Sequence, residues 1–268
     1  MADQALTEGE RWAQELLAEL REARYRPPAW ARFLERSLAR ARETRAHRLA
    51  LSRQARRWGI AGTIATAALA RLERRSVAPC VVWWAACWAM LEWHLGMVAG
   101  PLGEHRGRLA AADAVTLTRI ATVPFVAGPA TRRHWALLVG GGAASDAVDG
   151  RLAQRSGPTR LGRELDSCAD AAFFVAAAAG GARNDWLSRS AALVTVSRHL
   201  ADVGLVAWRW FADTSRPTLA DGPTRWAAAP SAAALLLAAA GAREAAAWLL
   251  TTTSLAASAA QVRAACGA

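Results

Sequence analysis

The stretch Ser145 to Asp170 reads SDAVDGRLAQRSGPTRLGRELDSCAD, and it carries four aspartates, Asp146, Asp149, Asp166 and Asp170. The first two are three residues apart and the last two are four apart, so on helices each pair shares one face. Apolar runs flank the stretch on both sides, which puts these carboxylates at the ends of membrane-length segments. Ionisable groups in such positions are expensive and normally have a task. If the segments 133–154 and 161–182 are antiparallel neighbours, all four acids meet near one membrane surface. Four carboxylates packed together repel in a low dielectric and need cations. Hard divalent ions with oxygen ligands, Mg²⁺ or Mn²⁺, answer that need, and a pair of them could clamp a diphosphate.

Working outward, the rest of the chain supports a membrane protein. Of 268 residues 53% are apolar and 21% charged, but the two are segregated. Residues 1–57 hold 13 arginines against 8 acids and show helical apolar spacing (Trp12, Leu16, Leu17, Leu20), broken at Pro27-Pro28 and resumed from Trp30. This predicts a basic cytoplasmic helical arm, either lying on anionic lipid or simply solvated. Beyond it, eight apolar segments are expected near 58–75, 77–102, 114–130, 133–154, 161–182, 187–211, 225–241 and 244–264. The predicted organisation is an arm over 1–57, a membrane hairpin and linker over 58–112, and a membrane core over 113–268.

The net charge is +11, and all 33 basic residues are arginine. The apolar content assigns that charge to a lipid surface, and no zinc-finger spacing or RNA-binding aromatic motif supports nucleic acid. Cys80, Cys87, Cys168 and Cys266 form no C-x-x-C and read as small packers. Trp135, Trp186, Trp208, Trp210 and Trp226 gather near segment ends, as an interfacial aromatic belt would. The arm, Gly103 to Arg108, the loop of Arg155 and Arg160, and the loop Arg216 to Arg225 fall on one side if eight segments span. The retention of arginine then orients the acids toward the cytoplasm, against Arg71, Arg74, Arg75, Arg132 and Arg133 on the other side.

The spacing D-x-x-D-G-x-x-A followed by G-x-x-x-D-x-x-x-D, at Asp146, Asp149, Gly150, Ala153, Gly162, Asp166 and Asp170, resembles the signature of the CDP-alcohol phosphatidyltransferase family. Gln154 stands where that pattern usually has arginine, and seven residues rather than eight separate it from Gly162. Thr116-Leu117-Thr118-Arg119 with Pro124 is similar to the start of the family's first core helix. The resemblance implies an all-α polytopic membrane bundle with a six-helix catalytic core over 114–264, to which the apolar segments before it add one or two N-terminal membrane helices. It implies transfer of a phosphatidyl or related group from CDP-diacylglycerol or another CDP-alcohol to an acceptor alcohol, with loss of CMP.

On that resemblance Asp146, Asp149, Asp166 and Asp170 hold two metal ions, and Asp170 is also the general base. Gly150 and Ala153 line the cytidine pocket, with Arg155, Arg160, Gly162 and Arg119 as further substrate contacts. Apart from the resemblance, the mid-segment guanidinium of Arg198 reads as a contact to a substrate phosphate. Arg198 has a plainer reading beside it, an i,i+4 pair with Asp202, and His199 reads as a helix-interface residue. The small residues Gly150, Ala153 and Gly162 serve either nucleotide approach or close helix packing. Homodimers are common in the family. Two further classes stay open, a non-catalytic family member with a structural role and a membrane transporter.

Overall fold

The computed structural model describes residues 8–100, 103–157, 159–212 and 225–266. Ten α-helices account for almost all of them, and no strand forms among the described residues. They are α1 (Glu8–Glu22), α2 (Pro27–His47), α3 (Leu49–Leu72), α4 (Val77–Trp93), α5 (Ala111–Ala127), α6 (Arg132–Ser156), α7 (Arg160–Arg183), α8 (Arg189–Ala212), α9 (Ala228–Ala239) and α10 (Arg243–Cys266). The architecture is the all-α bundle expected from the sequence.

The breaks have local causes. Arg24 and Tyr25 take positive φ, and Pro27 and Pro28 then occupy the first turn of α2, where a missing N–H costs nothing. Thr131 and Thr159 cap α6 and α7, their hydroxyls accepting from the His134 and Gly162 amides at 3.2 and 2.9 Å. Gly157, at φ 75°, makes the turn between these two helices. α3 runs unbroken from 49 to 72, through the junction expected at 57–58.

Six helices close a ring by their contacts, in the order α5, α6, α9, α10, α8, α7 and back to α5. Their shared core includes Val126, Trp135, Val139, Ala177, Leu187, Leu235 and Leu250. Small residues set the spacing. The Cβ of an alanine at 180 would collide with the backbone of Val126, so only glycine lets α7 lie this close to α5. The hairpin α3–α4 packs on the outside of α5, where one indole of α4 reaches α5 and two others tie α4 to α3. Trp83 donates to the Ile120 carbonyl at 2.9 Å, Trp84 to that of Gly59 at 2.9 Å and Trp88 to that of Ala55 at 3.0 Å.

Two expectations are corrected here. α6 and α7 each pack chiefly against α5 rather than against one another, because α5 lies between them in the ring. Of the tryptophans expected in an aromatic belt, Trp208 and Trp226 are exposed, whereas Trp135 is fully buried and packs on Trp186 at 5.4 Å. By length and composition alone, one described helix, Arg160–Arg183, could cross a membrane, while Val77–Trp93 and Ala228–Ala239 are apolar but shorter.

At the ring end away from the aspartates, arginines lock loops. Arg75 pairs with Glu73 at 2.7 Å and donates to the carbonyls of Pro124 and Pro129 at 3.2 and 2.6 Å. Arg132 lies over the Trp186 ring at 5.9 Å.

Candidate active site

The four aspartates converge as the spacing predicted, through an intermediary that it did not show. α6 contributes Asp146 and Asp149, and α7 contributes Asp166 and Asp170. α5, between them, contributes Arg119, whose guanidinium ion-pairs with all four. Nη1 lies 3.0 Å from Asp146 and 2.6 Å from Asp170, and Nη2 lies 2.7 Å from Asp149 and also meets Asp166. Thr116, one turn earlier on the same face of α5, places its hydroxyl 3.3 Å from Asp149 and 3.1 Å from the Ala112 carbonyl. A threonine and an arginine three apart on a helix face one way, so one short sequence delivers both groups.

Exposure is graded across the cluster. The Asp149 side chain is 6% exposed, that of Asp170 29%, that of Asp166 41% and that of Asp146 49%. Asp149 is therefore the floor, and the opening lies on the side of Asp146 and Asp166. Beside it, Gly150 is exposed, and a Cβ there would meet nothing within 4 Å. That open flank is compatible with close approach of a large ligand. Arg155 is exposed at the last turn of α6. The side chains of Ala153 and Gln154 lie outside the described set.

Gly162 has a structural use. A Cβ there would stand 2.9 Å from Asp113 Oδ1 and 2.9 Å from Thr159 Oγ1. Asp113 is itself buried and accepts from the Ala110 amide at 2.7 Å, capping α5. The missing side chain thus lets the start of α7 nest on the start of α5, one turn ahead of Asp166. The α6–α7 turn is held from the linker as well, where Arg106 donates to the Gly157 carbonyl at 2.7 Å and the Arg160 amide donates to Ala99 at 3.0 Å.

The other expected substrate contacts are placed elsewhere. Arg160 turns away from the carboxylates to Glu10 of α1, at 2.5 Å. Arg198 sits buried on α8 with its Nε 3.6 Å from Asp202, the plainer of its two readings. His199 stacks flat on Phe174, with centroids 5.6 Å apart and planes 4° apart, as an interface residue does. Reasoning from sequence missed Thr116 and Asp113 as parts of the site. The signal for both lay in the helical spacing Asp113, Thr116, Arg119.

One carboxylate oxygen from each of Asp146, Asp149 and Asp166 can be chosen so that all lie within 4.8 Å of one another. Three acidic oxygen donors from two rigid helices form a hard ligand set, and this fits Mg²⁺ or Mn²⁺. What such a cluster can do chemically is gather a polyanion through cations and receive a proton beside it.

The model of the CDP-alcohol phosphatidyltransferase family matches residues 109–259, from just before α5 into α10. The match covers over half the chain and contains the whole carboxylate cluster, so the protein belongs to the CDP-alcohol phosphatidyltransferase family. Comparison with curated proteins and with solved structures returns no match. The family consists of integral membrane transferases that carry out phospholipid-type phosphotransfer.

Proposed function

We propose that this protein transfers a phosphatidyl or related phospho-alcohol group from a CDP-alcohol, CDP-diacylglycerol first among them, to an acceptor hydroxyl with release of CMP. The observation that carries this reading is the convergence of Asp146, Asp149, Asp166 and Asp170 at one end of the six-helix ring, in a chain of this family.

Asp146, Asp149 and Asp166, with Asp170 alongside, are the residues that would hold Mg²⁺ or Mn²⁺. Bound there, the ions would neutralise the diphosphate and make its phosphorus more electrophilic. The acceptor oxygen forms its new bond to the phosphorus carrying the alcohol, the bond from that phosphorus to the bridging oxygen breaks, and CMP leaves with the electron pair. Asp170 takes the proton of the attacking hydroxyl. Asp149, buried against Arg119 and Thr116, fixes the floor of the cluster, while the open flank at Gly150 leaves room for the nucleoside.

A membrane setting is supported by the outside of the bundle. Ile60, Ile64, Val82, Leu137, Leu193, Leu200, Trp248, Leu255 and Val262 are each more than half exposed, on α3, α4, α6, α8 and α10. Side chains of this kind over five helices suit lipid and not water. The reading extends to eight spanning helices, with the aspartate end at the cytoplasmic interface, where a water-soluble nucleotide and a lipid substrate can meet. The arm docks at that same end through Glu10, and Arg48 donates to the Leu95 carbonyl at 2.9 Å.

The test is CMP release from the purified full chain in lipid nanodiscs, given CDP-diacylglycerol, Mg²⁺ or Mn²⁺ and a panel of alcohols. Release with one alcohol, dependent on metal and lost in Asp170→Asn, supports the reading and names the acceptor. A folded sample that releases CMP with no alcohol, from either CDP-diacylglycerol or a CDP-linked headgroup, sinks it in favour of a non-catalytic family member.

A further inference from the structure

Arg119 reaches the carboxylates from α5, the helix of the site that bears none of the four. Its two terminal nitrogens divide them crosswise. Nη1 holds Asp146 of α6 and Asp170 of α7, and Nη2 holds Asp149 of α6 and Asp166 of α7. Each nitrogen therefore ties one helix to the other. α6 and α7 are joined in the chain by the Gly157 turn and pack chiefly on α5, so the guanidinium is what cross-links their carboxylates. The side chain is 2% exposed, and its Nε is buried with no hydrogen-bond partner. A buried donor left without an acceptor leaves the group incompletely satisfied where it sits.

Charge gives the next step. One guanidinium among four carboxylates leaves an excess of three negative charges in a poorly solvated place, which attracts further cations. Asp146, Asp149 and Asp166 are both partners of Nη1 or Nη2 and the set with metal-ligand spacing. A cation and the guanidinium therefore compete for the same side chains. Two divalent ions would match four carboxylates in charge without any help from Arg119.

We infer that Arg119 is an exchangeable counter-cation. It holds the carboxylates of α6 and α7 together, a divalent ion must displace it to load, and the displaced guanidinium turns to the diphosphate that follows the metal in. The inference rests on the proposed reading of the cluster as a metal and diphosphate site, and it deepens that reading. Arg119 acts in this scheme first on the carboxylates and then on the diphosphate, and so sets the order in which the contents of the cluster arrive. The long side chain and planar fork of arginine suit both partners, since carboxylate and phosphate present paired oxygens to it alike.

The experiment is Mn²⁺ binding followed by electron paramagnetic resonance. It uses the full chain in nanodiscs, without nucleotide, as wild type, Arg119→Gln and Arg119→Lys. Removal of the competitor makes Arg119→Gln bind Mn²⁺ about tenfold tighter than wild type. Lysine carries the charge but one nitrogen, so it cannot bridge the helices crosswise, and Arg119→Lys falls between the two. Without metal the melting temperature orders wild type above Arg119→Lys above Arg119→Gln, and saturating Mn²⁺ narrows the gap. Millimolar guanidinium should weaken Mn²⁺ binding in Arg119→Gln and leave wild type unchanged. If Arg119→Gln does not fold, Arg119→Lys against wild type decides the matter by the same comparison. Mn²⁺ bound by wild type and no tighter by the folded variants overturns the exchange while leaving the metal site standing. Mn²⁺ bound by none of them overturns the metal reading and the exchange with it.

Discussion

Replacing Gly162 with alanine separates two accounts of why a glycine stands one turn before Asp166. In one, the missing side chain admits the nucleotide. In the other, it lets two helix starts nest. The added Cβ would lie 2.9 Å from Asp113 Oδ1 and 2.9 Å from Thr159 Oγ1, closer than real Cβ contacts run, so both groups must give. Each of them is a cap. Thr159 accepts from the Gly162 amide at 2.9 Å, and loss of that cap costs about 1 kcal/mol. Asp113 is buried and accepts from the Ala110 amide at 2.7 Å, and prying it away costs about 1–3 kcal/mol. Alanine returns about 1 kcal/mol through its better helix propensity. The net expectation is a destabilisation of about 1–3 kcal/mol, read by equilibrium unfolding in bicelles. CDP-alcohol binding, measured on the same samples, should weaken only as far as the folded fraction falls. A second substitution sharpens the result. In an Asp113→Ala background one of the two clash partners is gone, so Gly162→Ala should cost at least about 1 kcal/mol less there. A Gly162→Ala protein within about 0.5 kcal/mol of wild type that has nonetheless lost CDP-alcohol binding would refute the nesting account and restore the nucleotide one.

Three further outcomes follow from the packing. Trp135→Ala empties a fully buried indole site beside Trp186 and should cost about 3–5 kcal/mol in the same unfolding assay; a cost under about 1 kcal/mol would mean the ring core is wrongly drawn. Gly180→Val drives a side chain into the Val126 backbone and should abolish folded protein on size exclusion, whereas Gly204→Ala, with nothing within 4 Å, should stabilise by about 0.5–1 kcal/mol. Glu10→Gln loosens α1 from Arg160; because both groups are partly exposed, stability should move by less than about 1 kcal/mol, while trypsin cleavage near Arg24 and Arg26 speeds up.

The helices themselves were legible because their signals are local. Pro27-Pro28 and the apolar runs of the core set boundaries close to those observed, while the start of α3 and the end of α4 each lie nine residues from the expected limits at 58 and 102. Asp146 with Asp149, and Asp166 with Asp170, were also legible, since a helix turns i,i+3 and i,i+4 into a shared face without help from the rest of the chain. The role of Gly162 was ambiguous in sequence because its neighbour Asp113 lies on another helix. Arg160 was expected at the substrate yet is turned to Glu10, and Arg198 takes the plainer of its two readings, beside Asp202. Which acid an arginine meets depends on which helix lies beside it, and periodicity holds no record of that.

The sequence by itself therefore determined the all-α character, most of the core helices, the family and the four carboxylates, because hydrophobic period and short spacing act within a few turns. The tertiary structure alone decided that α5 stands between α6 and α7, and that Arg119 rather than direct helix contact joins the acids. It also decided that Trp135 is core and not belt. Those outcomes rest on how six helices share out their small residues at close approach, as Gly180 does against Val126. That is a property of helix pairs far apart in the chain, and it exists only once they have met.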